Sequence, residues 1–211
     1  MKKAVCLAFA LISGSAMAGE IYTGAGTVGF KLGYAQALTD TVGLRAEFNY
    51  LDYSRDFNTS DANYTGKIKM NNVGAYLDYF PFSNGFRLSA GALVGNNKIT
   101  ADGKASGGNY TINGQQYSAT GQSVSASAAF PNVQPYVGLG YGYSPTAKKG
   151  LGFFADIGAA YGKPDATLNV SQGLLTKAGQ ANVNAEQQKM QDELDKFKFY
   201  PVLNIGLSYT F

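Results

Sequence analysis

The stretch LNIGLSYTF alternates strictly: Leu203, Ile205, Leu207, Tyr209 and Phe211 share one parity, and Asn204, Gly206, Ser208 and Thr210 the other. A period of two marks a strand with unlike faces. The same design recurs along the chain. Phe30, Leu32 and Tyr34 oppose Lys31 and Gly33, and Val42, Leu44, Ala46, Phe48 and Tyr50 oppose Gly43, Arg45, Glu47 and Asn49. Val73, Ala75, Leu77 and Tyr79 oppose Gly74, Tyr76 and Asp78, while Phe86, Leu88, Ala90, Ala92 and Val94 oppose Arg87, Ser89 and Gly91. Val137, Leu139, Tyr141 and Tyr143 oppose Gly138, Gly140 and Gly142, and Phe153, Ala155, Ile157, Ala159 and Tyr161 oppose Asp156, Gly158 and Gly162.

The connections alternate in length. Residues 38–41, 81–85 and 144–150 are short and rich in turn formers, whereas 54–66, 97–132 and 163–197 read as long polar excursions. Short turns at one end and long loops at the other is the sidedness of a barrel set in an outer membrane, with turns in the periplasm and loops outside. Such barrels carry even strand numbers, so an eighth strand is assigned to 19–26, rising to a tight turn near Thr27. The prediction is an all-β, closed antiparallel transmembrane β-barrel of eight strands. Within 97–132, Asn113-Gly114 predicts a type I′ hairpin projecting above the barrel. Within 163–197 one short helix is predicted, with Asn184 as cap, a stripe of Val183, Met190, Leu194 and Phe197, and an Asp192–Lys196 pair.

The parity of the charges says which face meets lipid. Lys31, Arg45 and Arg87 fall on the polar parity with Glu47, Asp78 and Asp156, three of each sign. An eight-stranded barrel is just wide enough inside for side chains to fill, and buried charges there need partners. These six residues are therefore the predicted lumen charge network. Small residues on the same parity, Gly138, Gly140, Gly142, Gly158 and Gly206, leave room for long neighbours. Phe80, Phe82, Tyr143, Phe153 and Phe211 at one rim, and Tyr50, Phe130, Tyr161 and Phe199 at the other, suit two interfacial girdles.

Residues 1–18, MKKAVCLAFALISGSAMA, have the n-region, short apolar h-region and Ala-Met-Ala site of a secretory signal peptide. The domain assignment follows as 1–18 signal and 19–211 barrel. Loss of Lys2 and Lys3 leaves 15 basic against 14 acidic residues, so the basic balance of the whole chain gives little support to nucleic-acid binding. Cys6 leaves with the signal, and with it any disulfide.

Histidine is absent from the chain, which disfavours Ser-His-Asp hydrolases and the usual zinc sites. No catalytic residue, cofactor or metal site is assigned, and no enzyme activity is expected. Asp52, Asp56 and Asp61 cluster in the first long loop and read as a solvated acidic loop, weak Ca²⁺ binding being the minor alternative. GAGTVG at 24–29 matches a dinucleotide fingerprint literally, but nothing helical follows it. The NTS, NYT and NVS sequons carry little weight behind a bacterial type of signal.

The Ala-Met-Ala site, the Gly- and Tyr-rich strands, GLGYGY at 138–143 and YPVLNIGLSYTF at 200–211 together resemble the small Gram-negative outer-membrane barrels of the OmpA-transmembrane, OmpX, OmpW and opacity-protein type. The resemblance implies an outer-membrane location after export through the periplasm. It implies that Leu207, Tyr209 and Phe211 form the signal read by the barrel-assembly machinery. Outer-membrane lipid and lipopolysaccharide, and a host or surface ligand, are the further partners implied. The expected function is non-enzymatic: a barrel anchoring surface loops for envelope structure, adhesion or surface interaction. The alternative is a narrow or gated channel for small solutes or apolar compounds.

Overall fold

A computed structural model describes residues 19–58, 62–105 and 107–211, so the predicted signal, 1–18, and Asp61 lie outside the described residues. The chain is built mainly of antiparallel strands: β1 Gly19–Gly26, β2 Gly29–Ala37, β3 Val42–Asn58, β4 Ala62–Tyr79, β5 Phe86–Ala105, β6 Asn109–Ile112, β7 Gln115–Ser118, β8 Ser123–Ala129, β9 Val133–Tyr141, β10 Gly150–Tyr161, β11 Asp165–Val170 and β12 Phe199–Thr210. Helices α1, Gln172–Ala178, and α2, Gln180–Leu194, lie between β11 and β12. No helix among the described residues is long and apolar enough to cross a membrane.

Part of the sheet closes on itself. β1 pairs with β2 on one side and β12 on the other. From β2 the ladder runs through β3 and β4 to β5, and from β12 through β10 to β9. The β5–β9 pairing, Phe86↔Tyr141 to Val94↔Val133, completes the ring.

Beyond Val94, β5 parts from β9, and its upper half, Lys98–Lys104, pairs with β8, which pairs with β11. Together with the upper halves of β3 and β4, these strands form an open wing continuous with the ring.

The three stretches predicted as long loops are thus largely structured. β3 runs to Asn58 and β4 starts at Ala62; 97–132 holds the upper half of β5, the β6–β7 hairpin and β8; and 163–197 holds β11 and both helices. Alternation continues through the strands of these stretches, but with polar residues on the outward parity, a pattern close to that of coil. The hairpin turns at Asn113 and Gly114, whose φ values of 50° and 79° are those of a type I′ turn.

The single predicted helix is two, jointed at Gly179 with φ 80°. Asn184 lies inside α2 and accepts from Gln180 instead of capping. Lys196 pairs with Glu193 at 2.6 Å, and Asp192 accepts from Gln188.

Two girdle assignments are corrected. Phe80 and Tyr143 are buried and packed edge to face, with ring centroids 5.3 Å apart, inside the short-turn end of the ring. Phe80 shares the inward parity of Asp78. Tyr143 follows Gly142, whose φ of 130° turns the chain inward where unbroken alternation would point it out. The other assigned aromatics, Phe82, Phe153, Phe211, Tyr50, Tyr161 and Phe199, are exposed, with Phe130 half-buried against Tyr200.

Candidate functional site

The outer surface of the ring is apolar. Phe30, Leu32, Val137, Leu139, Ile157, Ile205 and Leu207 are all exposed, Ile205 at 70 %. In water such a belt would far exceed the patch a soluble monomer tolerates. Leu207, Tyr209 and Phe211, the predicted assembly row, belong to this outward face.

All six predicted network charges lie on the opposite, buried side. Arg45 is the hub. Its Nε is 2.9 Å from Asp78 Oδ2, one Nη reaches Asp156 at 3.3 Å, and the other donates to Ser89 Oγ at 3.2 Å. Arg87 reaches the second oxygen of Asp156 at 2.5 Å, so that carboxylate bridges two guanidinium groups. Lys31 Nζ sits 2.9 Å from Glu47, whose oxygens also accept from the Tyr22 and Tyr76 hydroxyls, each at 2.9 Å, and from Asn49. The Arg45 guanidinium lies 4.6 Å from the centre of the Tyr76 ring. Every predicted charge therefore has an opposite partner, without which burial would be costly. Arg45, Glu47 and Asp78 have further hydrogen bonds as well, whereas Nε and one Nη of Arg87 are buried without a partner among the described residues.

The inward glycines make this packing fit. A Cβ at Gly138 or Gly158 would collide with the Tyr136 ring, at Gly140 with Arg87 and Asp156, and at Gly206 with Phe154.

Sequence reasoning missed several members of the network. Glu20 is buried beside Thr210, which donates to it at 3.1 Å, so the described interior carries four carboxylates against three cations. Its parity with Tyr22 and Gly24 was the available signal. A second omission is the amide row Asn49, Asn72 and Asn97, in which Asn49 donates to Asn72 at 3.1 Å and Asn72 to Asn97 at 3.0 Å across β3, β4 and β5.

Both ends of the interior are plugged by apolar side chains. Phe80, Tyr143, Ala35, Ala37, Tyr22 and Phe154 fill the short-turn end. Val28, Leu93, Ala160 and Val202 fill the other, with Tyr76 and Tyr136 beneath them.

The wing holds a separate small core in which Leu174, Ala178 and Val183 from the helices pack on Ile112 and Leu168. Its outermost strand, β11, would present free N–H groups, but α2 covers them. Gln191 accepts from Ala166 N–H at 2.7 Å and Gln187 from Leu168 N–H at 3.1 Å, one helical turn apart. Of the acidic residues predicted to cluster, Asp52 and Asp56 stand exposed on β3, where Asp56 accepts from Thr65 at 2.7 Å, and Asp61 lies outside the described residues.

A ring with an apolar exterior and a charge-paired, filled interior defines the outer-membrane β-barrel fold class. The chain shares that fold with two crystal structures from Acinetobacter baumannii. CarO superposes with a TM-score of 0.62 at 23% identity over 92% of this chain and 97% of that one, and CarO2 with 0.64 at 20% identity over 92% and 98%. A major outer membrane protein from Thermus thermophilus aligns over 93% of this chain and all of its own at 16% identity, with a TM-score of 0.45, too loose to define a fold. No family model matches the sequence, and a search of curated proteins finds no match.

Proposed function

We propose that this is a non-enzymatic outer-membrane protein whose ring is an eight-stranded transmembrane barrel serving as a rigid anchor for the wing, which works at the cell surface. One observation carries the reading: the interior is filled from end to end, by Phe80 and Tyr143 below, the charge network in the middle, and Val28, Leu93 and Val202 above. A filled lumen leaves the structured wing as the part able to meet other molecules. On this reading outer-membrane lipid and lipopolysaccharide solvate the exposed belt, and the outward Leu207, Tyr209 and Phe211 are what the assembly machinery meets during insertion.

Two measurements test it. Purified protein in planar bilayers should be electrically silent; stable unit conductance would overturn the anchor and favour the gated channel. Protease added to intact cells should cut between residues 107 and 122 or within 171–197. Full protection there, with cleavage only after the envelope is opened, would overturn the surface assignment.

A further inference from the structure

The space between α2 and the wing sheet is filled unevenly. In one half, Val183 and the α1 residues close onto Ile112 and Leu168. In the other half the sheet offers Ile99 and Ala101 from β5 with Ala126 and Ala128 from β8, while α2 offers Met190 and Leu194. Three of the residues on the sheet side are alanines, which put little side-chain volume between sheet and helix. A cleft of about 450 Å³ remains, with Phe197 at its edge. That volume lies within the roughly 300–1,000 Å³ of small-molecule sites, which are likewise mainly apolar.

The charges beside the cleft are already matched. Glu186 lies 3.6 Å from Lys189 and also accepts from the Asn113 N–H, and Glu193 lies 2.6 Å from Lys196. An ionic ligand would find no uncompensated partner among them and would lose its hydration on entry. The cleft also stands beyond the Asn49–Asn72–Asn97 row, where the outward face carries Asp52, Lys69 and Lys98 in place of the apolar belt. A membrane lipid would have to withdraw its chain from the bilayer to reach it.

We propose that the cleft between α2 and strands β5 and β8 is a binding site for one small, neutral, apolar molecule of about the size of naphthalene. The site deepens the proposed surface role, because it lies in the wing. Protease access on cells tests that role separately, so a failure to bind counts against the cleft alone.

The chain contains no tryptophan, so Phe197→Trp creates a single reporter at the edge of the cleft. In nanodiscs, 1-bromonaphthalene should quench this reporter saturably, and unlabelled naphthalene should reverse the quenching. Naphthalene-2-sulfonate should be at least tenfold less effective. Filling the cleft with Ala101→Leu and Ala126→Leu should weaken the quencher's affinity at least tenfold. A reporter at Ile157→Trp, on the lipid-facing belt, should be quenched in proportion to concentration without saturation. Quenching at position 197 that never saturates, that survives filling of the cleft, or that the sulfonate reverses equally well would overturn the proposal. The competition arm uses the reporter protein alone and therefore decides the matter even where filling disturbs the wing.

Discussion

The lower and upper halves of β3, β4 and β5 are continuous strands with opposite polarity. In the ring the outward residues are Leu44, Phe48, Leu77, Val73, Leu88 and Val94, and the inward ones Arg45, Glu47, Asp78 and Arg87. In the wing the outward row is Asp52, Lys69 and Lys98, all exposed and in register, while the continuing inward face carries Met70, Ile68 and Ile99. The backbone period never changes. What changes is the solvent, and the exchange occurs at the row of Asn49, Asn72 and Asn97, whose amides bond to one another along the seam. The upper limit of the lipid-facing surface can therefore be read from where an unbroken strand trades greasy for charged on one face.

The largest way to break this contrast is from inside the ring. Asp156→Ala would leave Arg45 and Arg87 buried with a lost carboxylate and should destabilise the folded ring by about 3 to 5 kcal/mol. The check is urea unfolding in liposomes, followed by the heat-dependent gel shift typical of such rings. Asp156→Asn keeps the shape and removes only the charge, so a stability equal to wild type for Asn would show that the pairing carries no weight. Leu168→Ala should cost a comparable amount, about 2 to 5 kcal/mol, at its own site. That loss should appear as faster proteolysis of the wing with the ring's gel shift unchanged, because Leu168 packs only in the wing core.

A second experiment moves one residue type across the boundary. Arginine at outward Leu139 should cost about 2 to 4 kcal/mol near the bilayer midplane. Arginine at outward Thr100, among the charges of the wing, should change stability by less than about 0.5 kcal/mol. Equal effects at the two positions would erase the inferred boundary. Smaller still is the seal on β11. Replacing Gln187 and Gln191 together by alanine removes two hydrogen bonds to the edge strand, at about 1 kcal/mol each. Amide exchange at Ala166 and Leu168 should quicken while β12 exchange stays as it was.

Much of the ring was legible because lipid imposes a simple rule on every strand: alternate, and keep the charges on one parity. Lys31, Arg45, Glu47, Asp78, Arg87 and Asp156 could be picked out that way and are brought together in the interior. Glu20 escaped because its strand is short and its greasy face holds little beyond Ile21, so the period was faint. The wing escaped for a different reason. Ser54, Asp56, Lys67 and Asp102 look like coil when every strand is assumed to face lipid, although they occupy the solvent side of regular β3, β4 and β5. Nor could spacing show that Gln187 and Gln191 reach the backbone of β11, since the partners lie far apart in the chain and only the fold of α2 aligns them.

The finest test uses the wing's exposed charges. Asp102 accepts from Ser125 Oγ at 2.6 Å and lies 3.2 Å from Lys67, tying β5 to β8 and β4 on the solvent side. The Ser125 hydroxyl, and then Lys67, hold its carboxyl below the usual carboxylate range. Asp195, at the end of α2, is lowered in the same sense by Lys163 and Gln191. A carboxyl with a lowered folded value stabilises the structure above its unfolded value, near about pH 4, and that contribution disappears as the pH falls through the folded value. The wing should therefore loosen as the pH drops below about 4, seen as lower amide protection in β8 and at the end of α2 relative to the unstructured exchange rate at each pH. Both carboxylates are solvent-exposed, so the change should be slight. Asp102→Asn should flatten the β8 response while leaving that of α2 intact, and a β8 profile as steep in the variant as in the wild type would show that another group governs it.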